Sequence, residues 1–317
     1  MSSYLELECA TNFSFLEGAS HAEELVEAAK ALGHAGIGIA DRNTLAGVVR
    51  AYSAVREFYE ETAIPRGDWI KLLVGARLET LDGYSLLAYP MNLDGYKRLS
   101  RMLSEGNKEA AKGECDLTFA HIEKYAEDIL AIVLPPRNVD DPAFHERLRR
   151  LARLFHGRCY LAGTMLFRGN DAERLAVLDN LATQTKTKLV ATNDAHYHAP
   201  ERRALHDVVT AIRLKCTVEE LGFRRFSSAE RHLKPAEEMQ RLFRKHPHRF
   251  TFILNCIREE PKWCQVILDL LQFFLIQPST NIYVHQVLVV RLSGHPPERD
   301  KGRNKVIVIS LTGLKRV

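Results

Sequence analysis

Asp194 and His196 follow an apolar stretch, residues 188–192, whose composition is typical of a buried strand. Alternate residues at the end of a strand point the same way, so this carboxylate and this imidazole would face one space. Together they could bind a single divalent metal ion. Alternatively, Asp194 caps the following turn and His196 forms a local hydrogen bond, and the spacing alone favours that alternative.

Polar residues also follow earlier apolar segments. Glu8 begins the sequence ECATNFS, Asp41 begins the sequence DRNT, and the mixed segment VGARLE carries Arg77. Functional groups of α/β folds gather at the C-terminal ends of the strands, so these residues are candidates to join Asp194 and His196. Asp41 could ligate a metal or act as a general base, although an Asp between a strand and a helix is more often an N-cap.

The elements that would position these side chains alternate along the chain up to about residue 215. Short apolar segments alternate with amphipathic segments of ~10–15 residues, which predicts parallel strands joined by helices. Ser20 and Glu23 predict a capping box at the start of the first helix, which Gly33 ends. The pattern fits either a barrel related to the eight-fold α/β barrel or an open doubly wound sheet. The predicted strands are 4–10, 36–40, 70–78, 84–88, 128–134, 159–162 and 188–192, and the predicted helices are 20–32, 45–59, 93–103, 142–155, 171–181 and 201–214.

Composition excludes several classes of protein. No apolar stretch reaches the ~18–20 residues that span a bilayer, and the first residues are acidic where a signal peptide is basic, so we expect a cytoplasmic chain without membrane contacts. The six cysteines include no Cys-x-x-Cys pair, which predicts reduced, mostly buried thiols.

The positive charge of the chain lies in its last part. The net charge is 44 − 40 = +4, of which residues 251–317 supply 9 − 5 = +4. Residues 1–250 are therefore neutral and could not hold nucleic acid by phosphate contacts alone.

Several motifs together resemble the start of the bacterial error-prone DNA polymerases, which are relatives of the DNA polymerase III alpha subunit. The motifs occur in the family's order at similar spacing across residues 1–249. They are YLEL (4–7), TNFSFLEGAS (11–20), DRNTLAGVVR (41–50), VGARLE (74–79), ATNDAHYH (191–198), LHDVVTAI (205–212) and LKPAEEM (233–239). The resemblance implies an α/β fold with a distorted seven-stranded (β/α) barrel of the polymerase-and-histidinol-phosphatase (PHP) type.

The resemblance also implies that most metal ligands of this barrel have been replaced. Members that keep the metals have two His residues where this chain has Glu8 and Ala10, an Asp-His pair at Asp41 and Arg42, and a Glu at Arg77. A later Asp-x-His is retained as Asp194 and His196. Arginine cannot act as a ligand, and its charge repels a cation. We therefore predict that Arg42 and Arg77 pair with Glu8, Asp41 or Asp194, and that the barrel holds no metal or other cofactor.

The family places a polymerase module with two catalytic Mg²⁺ ions after this barrel, and this chain has no such module. We predict a PHP-type barrel at 1–226, the helical start of a link at 227–249, and a divergent tail at 250–317 with β-prone runs at 281–292 and 305–311. The tail is either a frame-shift product or a short domain. We interpret the chain as a non-catalytic scaffold fragment whose partners are the rest of the polymerase, DNA and other replication or repair proteins. The alternatives are a stand-alone metal-dependent phosphoesterase and a docking module for replication proteins.

Overall fold

A computed structural model of the protein describes residues 4–62, 69–245 and 250–251. Within them one mixed sheet has its strands in the order in which they occur along the chain. The strands are β1 (Leu5–Cys9), β2 (Gly36–Arg42), β3 (Lys71–Glu79), β4 (Ser85–Pro90), β5 (Ile129–Val133), β6 (Cys159–Gly163), β7 (Lys188–Ala191) and β8 (Phe250–Thr251). The first seven correspond to the seven predicted strands, and β8 adds a two-residue strand beside β7.

Most neighbouring strands are parallel, but β4 runs antiparallel to both β3 and β5. The expectation of parallel strands throughout was therefore wrong for this strand. The connection between Glu79 and Ser85 is a tight turn, too short for the helical crossover that parallel strands require. Gly83, with φ of +83°, occupies the left-handed position of this turn.

The sheet curls so far that its first strand approaches the chain that leaves β7. The amide of Ala195 donates to the carbonyl of Glu8 over 2.7 Å, and the amide of Ala10 donates to the carbonyl of Ala195 over 2.9 Å. Cys9 and Ala195 form an isolated parallel bridge. The predicted distorted seven-stranded α/β barrel is thus confirmed, and its closure is confined to the end where β1 and β7 finish.

The inside of the barrel is filled by side chains from alternate strand positions. One apolar cluster contains Leu7, Leu73, Ile132 and other strand residues but no helix residue. Tyr89 from β4 lies across the interior and donates a hydrogen bond to the carbonyl of Leu7. Its ring packs on Gly75, where an added Cβ would meet a ring carbon at 2.5 Å. The interior of the barrel is therefore a packed apolar core.

Helices cover the outer face of the sheet. They are α1 (Ala22–Ala31), α2 (Ala46–Thr62), α3 (Leu93–Glu109), α4 (Phe119–Tyr125), α5 (Pro142–Leu154), α6 (Asp171–Thr185), α7 (Arg203–Leu214) and α8 (Ala236–Leu242). The prediction missed α4, whose seven residues are too few for a clear helical period. It also placed the first capping box one residue early, since His21 and Glu24 form it. No helix in these described parts is long and apolar enough to cross a membrane.

The chain beyond residue 226 contributes to the same core. Leu233 packs in the cluster under α1 and α2, while Met239 and Phe243 pack in the larger cluster under the helices farther along the same outer face of the sheet. These residues were predicted to begin a link rather than to belong to the barrel. The β-prone runs predicted at 281–292 and 305–311 lie outside the described residues.

Candidate functional site

The predicted site residues lie around the end of the barrel where β1, β2, β3 and β7 finish, which we call the mouth. Asp194 stands at its centre, just after β7, with a left-handed φ of +48°. Its Oδ1 accepts a hydrogen bond from Nη1 of Arg77 over 3.3 Å and lies 3.1 Å from Nε2 of His196. Its Oδ2 pairs with the guanidinium of Arg231. Both carboxylate oxygens of Asp194 are thus in contact with a cationic side chain.

Arg77 connects three carboxylates. In addition to Asp194, its Nε donates to Oε1 of Glu79 over 3.0 Å, and its Nη1 lies 3.8 Å from Oε1 of Glu8. Glu8 reaches this position because β1 has an extra residue between Glu6 and Cys9 relative to β2. Burial raises the pKa of Glu8, and the charge of Arg77 and a hydrogen bond from Thr192 act against that rise.

Arg42 lies beside Arg77 on the neighbouring strand, since the two residues are register partners of β2 and β3. Its guanidinium pairs with Glu17 over 3.2 Å and with Glu79 over 3.7 Å, and its side chain is 43% exposed. Arg213 from α7 contacts the same Glu17 over 3.3 Å. The contacts of Arg42 are therefore at the outer rim of the mouth and carry less energy than those of the half-buried Arg77.

Asp41 faces away from these arginines, because successive residues of a strand point to opposite faces. It is fully buried and accepts hydrogen bonds from the Thr11 amide over 2.7 Å and from the hydroxyls of Thr11 and Ser14. Burial raises the pKa of Asp41, and these hydrogen bonds act against the rise. A Cβ on Gly47, the second residue of α2, would meet Oδ2 of Asp41 at 2.1 Å, so a larger residue there would displace this carboxylate. In the structure Asp41 fastens the loop after β1 and contacts no arginine.

The two histidines of the mouth are held neutral. Burial, followed by the charge of Arg77, lowers the pKa of His196 to about 4. Burial, followed by the neighbouring His196, lowers the pKa of His206 to about 3. The His206 ring stacks on Phe226, with centroids 4.3 Å apart. His206 is therefore a packing residue of the mouth.

His206 should make the fold sensitive to acid. Its pKa in the folded state lies below that of an unfolded histidine. Below pH ~6.5 the unfolded chain therefore takes up a proton that the folded chain does not, and the free energy of unfolding falls until the pH reaches the folded-state pKa. Between roughly pH 6.5 and 3, this effect lowers the free energy of unfolding by up to about 1.4 kcal/mol per pH unit, and replacing His206 with Phe should abolish it. Urea unfolding of both proteins at several pH values measures the difference. Parallel pH profiles would contradict the assignment.

Sequence reasoning missed Arg231, which lies 37 residues beyond Asp194 in the chain. Its guanidinium stacks on Phe226, 4.0 Å from the ring centroid, and pairs with Asp194. Burial lowers the pKa of Arg231 to about 9, so the group is still cationic at neutral pH. No periodicity or local motif distinguishes this arginine, because its partner comes from a distant strand end.

Some non-glycine residues with positive φ follow strands at the mouth end of the barrel. They are Leu16, Asn43, Phe167 and Asp194, in the segments after β1, β2, β6 and β7. Three others lie elsewhere, Asp128 before β5 and Lys186 and Lys215 at the C-terminal ends of α6 and α7. Left-handed backbone is therefore not confined to the mouth, although Asp194 with its ion pairs is one instance of it.

The side chains of the mouth do not suit a divalent cation. Among residues 4–62, 69–245 and 250–251, no three His, Cys, Asp or Glu side chains are grouped so that they could hold a metal ion. Asp194 is in contact with two guanidinium groups, and arginine offers no lone pair to a metal. No catalytic step can therefore be derived through a metal at this place.

Residues 6–161, which contain β1 to β5 and the start of β6, match the PHP domain family. Within the curated proteins, the chain is 44% identical to the error-prone DNA polymerase of Caulobacter vibrioides over 81% of its own length and 24% of that protein. It is 47% identical to the error-prone DNA polymerase of Rhodopseudomonas palustris over 77% of its length and 22% of that protein. The chain is thus a PHP-domain homologue of the error-prone DNA polymerases and spans less than a quarter of the length of these relatives.

A weaker likeness exists among solved structures. A Bifidobacterium adolescentis protein assigned as a metal-dependent phosphoesterase is 17% identical to this chain, with a TM-score of 0.39 over 62% of this chain and 88% of that protein.

Proposed function

We propose that this barrel is a structural PHP domain of the error-prone polymerase type, in which an ion-pair cluster replaces the metal centre. The observation that supports this most strongly is the environment of Asp194, whose oxygens contact Arg77 and Arg231. A mostly buried carboxylate paired in this way has little affinity left for a cation, because binding would break its ion pairs with two guanidinium groups. Asp194, His196, Glu8 and Asp41 would then be remnants of a metal site that now stabilise the mouth.

We infer that the activity of a whole polymerase belongs to the part of these relatives that the chain does not match. Nucleotidyl transfer past damaged bases needs carboxylates that bind two Mg²⁺ ions, and the mouth has no such pair. We propose that the barrel supports the remaining polymerase module in damage-induced DNA synthesis and repair. Its partners would be that module, DNA and other replication proteins in the cytoplasm.

The metal-free proposal predicts that the full chain binds neither Zn²⁺ nor Mn²⁺ at the mouth. Titration calorimetry should show no stoichiometric site with a dissociation constant below about 1 μM, because no open donor set is present. A chromogenic phosphodiester incubated with the protein and either metal should be turned over no faster than with the metal alone.

Asp194→Asn is the matched control for both measurements. If the wild-type chain bound metal tightly or cleaved the diester, and Asp194→Asn abolished that behaviour, the alternative function of a metal-dependent phosphoesterase would replace the proposal. Binding that survives Asp194→Asn would lie elsewhere and would leave the mouth without a metal.

A further inference from the structure

Residues 226–234, which we call the strap, run across the mouth of the barrel and into α8. They lie against residues 193–197, which are the motif that first suggested a metal site. The amides of His196 and Tyr197 donate to the carbonyl of Arg231 over 3.0 and 3.4 Å. Tyr197 and His232 form an isolated parallel bridge, so the strap continues the sheet beyond the end of β7.

Asn193 holds the strap through its side chain. Its Nδ2 donates to the carbonyls of Glu230 over 2.8 Å and His232 over 2.5 Å. Its Oδ1 accepts from Nζ of Lys234, which is almost fully buried, over 3.0 Å. The backbone amide of Asn193 in turn donates to the carboxylate of Glu6, inside β1, over 3.2 Å. Asn193 therefore ties the strap to β1 through its side chain and its backbone together.

Asp194 holds the strap through charge. It pairs with Arg231, whose guanidinium packs between that carboxylate and the ring of Phe226 at the start of the strap. Arg231 is the cation that the strap itself supplies to Asp194. A divalent ion and the docked strap would compete for the negative charge of Asp194, so each would weaken the binding of the other.

We propose that the 193–197 motif is the receptor for the strap, and that the Asp194–Arg231 pair is a latch that holds residues 226–232 over the mouth. Opening the latch would uncover Arg77 and Asp194, while Leu233, α8 and the rest of the barrel stay packed in the core. The proposal goes beyond a scaffold role, because it gives the mouth a closed and an open state. It holds whether or not the barrel works within a polymerase.

Hydrogen exchange of the full chain tests the latch. In Arg231→Gln the amides of His196 and Tyr197, which donate to the strap, should exchange about 10–100 times faster, because a buried ion pair that loses one partner opens locally. The amides of β2 and β3 should be unchanged. Asp194→Asn should have the same local effect, and the double variant should add little to the larger single effect, since both changes break one pair.

Arg213→Gln is the matched control, because it removes another guanidinium of the mouth that pairs with Glu17 and not with the strap. Exchange at His196 and Tyr197 that is no faster in Arg231→Gln than in Arg213→Gln would overturn the latch. Acceleration spread evenly through β2 and β3 would also overturn it, since the strap would then not open as a separate unit. If Arg231→Gln does not fold, Arg231→Lys keeps the charge but loses the planar fork, and should still accelerate the same two amides.

Discussion

Replacing Arg77 with glutamate is expected to create a site for Zn²⁺ or Mn²⁺ at the mouth of the barrel. The affinity of the variant should exceed that of the wild-type chain by at least about a hundredfold, which corresponds to about 2.7 kcal/mol. This is the largest functional change that we expect from one substitution in the described part of the chain.

The reason lies in what surrounds the Arg77 guanidinium. Its Nη1 lies 3.8 Å from Oε1 of Glu8 and 3.3 Å from Oδ1 of Asp194, and that oxygen is 3.1 Å from Nε2 of His196. The cationic head thus occupies the space between oxygen and nitrogen donors that suit these metals. Glutamate would remove the positive charge and supply another carboxylate, while His196 is already neutral and able to ligate.

Titration calorimetry with each metal measures the gain, and Arg213→Glu is its matched control. That substitution makes the same change of charge at the mouth but places the carboxylate beside Glu17, away from Asp194 and His196. An equal gain in Arg213→Glu would show a general effect of charge and contradict the prediction. In the Arg77→Glu background, Asp194→Asn should abolish the new site.

Replacing Asp41 with alanine is expected to lower the free energy of unfolding by about 3 kcal/mol or more. The Thr11 amide and the Ser14 hydroxyl would lose a buried acceptor, and no water could easily replace it beneath α2. Asp41→Asn should cost less, because its side-chain oxygen can still accept from Thr11 and because burial already disfavours the charge of Asp41.

Urea unfolding of the three proteins measures these differences. Asp140→Ala provides a control at an exposed aspartate and should change the unfolding free energy by less than about 0.5 kcal/mol. An Asp41→Ala variant as stable as this control would contradict the structural role of Asp41. A metal ligand would show the reverse pattern, with stability kept and metal affinity lost.

Much of the fold could be predicted from the sequence because most elements have strong local signals. A continuous apolar run indicates the buried strand 129–133. Helical periodicity indicates the amphipathic α5, which begins at Pro142 after the capping residue Asp141. The reversal of β4 was not predicted, since the apolar pattern of a strand is the same in either direction. Only the length of the turn at 80–84 carries that information.

The site was harder to predict because its partners are distant in the chain. The sequence indicates that Arg77 would need an acidic partner, but it offers Glu8, Asp41 and Asp194 equally. Strand alternation excludes Asp41, and this becomes apparent only when the register of β2 and β3 is known. No local pattern indicates that Arg231 and Lys234 belong to the site, because their partners, Asp194 and Asn193, lie about forty residues earlier in the chain.

The closure of β1 against Ala195 has a consequence for the order of events during synthesis. Glu8 leaves the ribosome 187 residues before Ala195, the residue that pairs with the C-terminal end of β1. At about 5–20 residues per second, that interval is roughly 10–40 s. Throughout it the first strand has one unpaired edge, as any nascent β-strand does before its neighbour emerges. A ribosome that stalls before the codon for Ala195 would therefore display an aggregation-prone strand, which makes this early edge a natural place for a chaperone to bind.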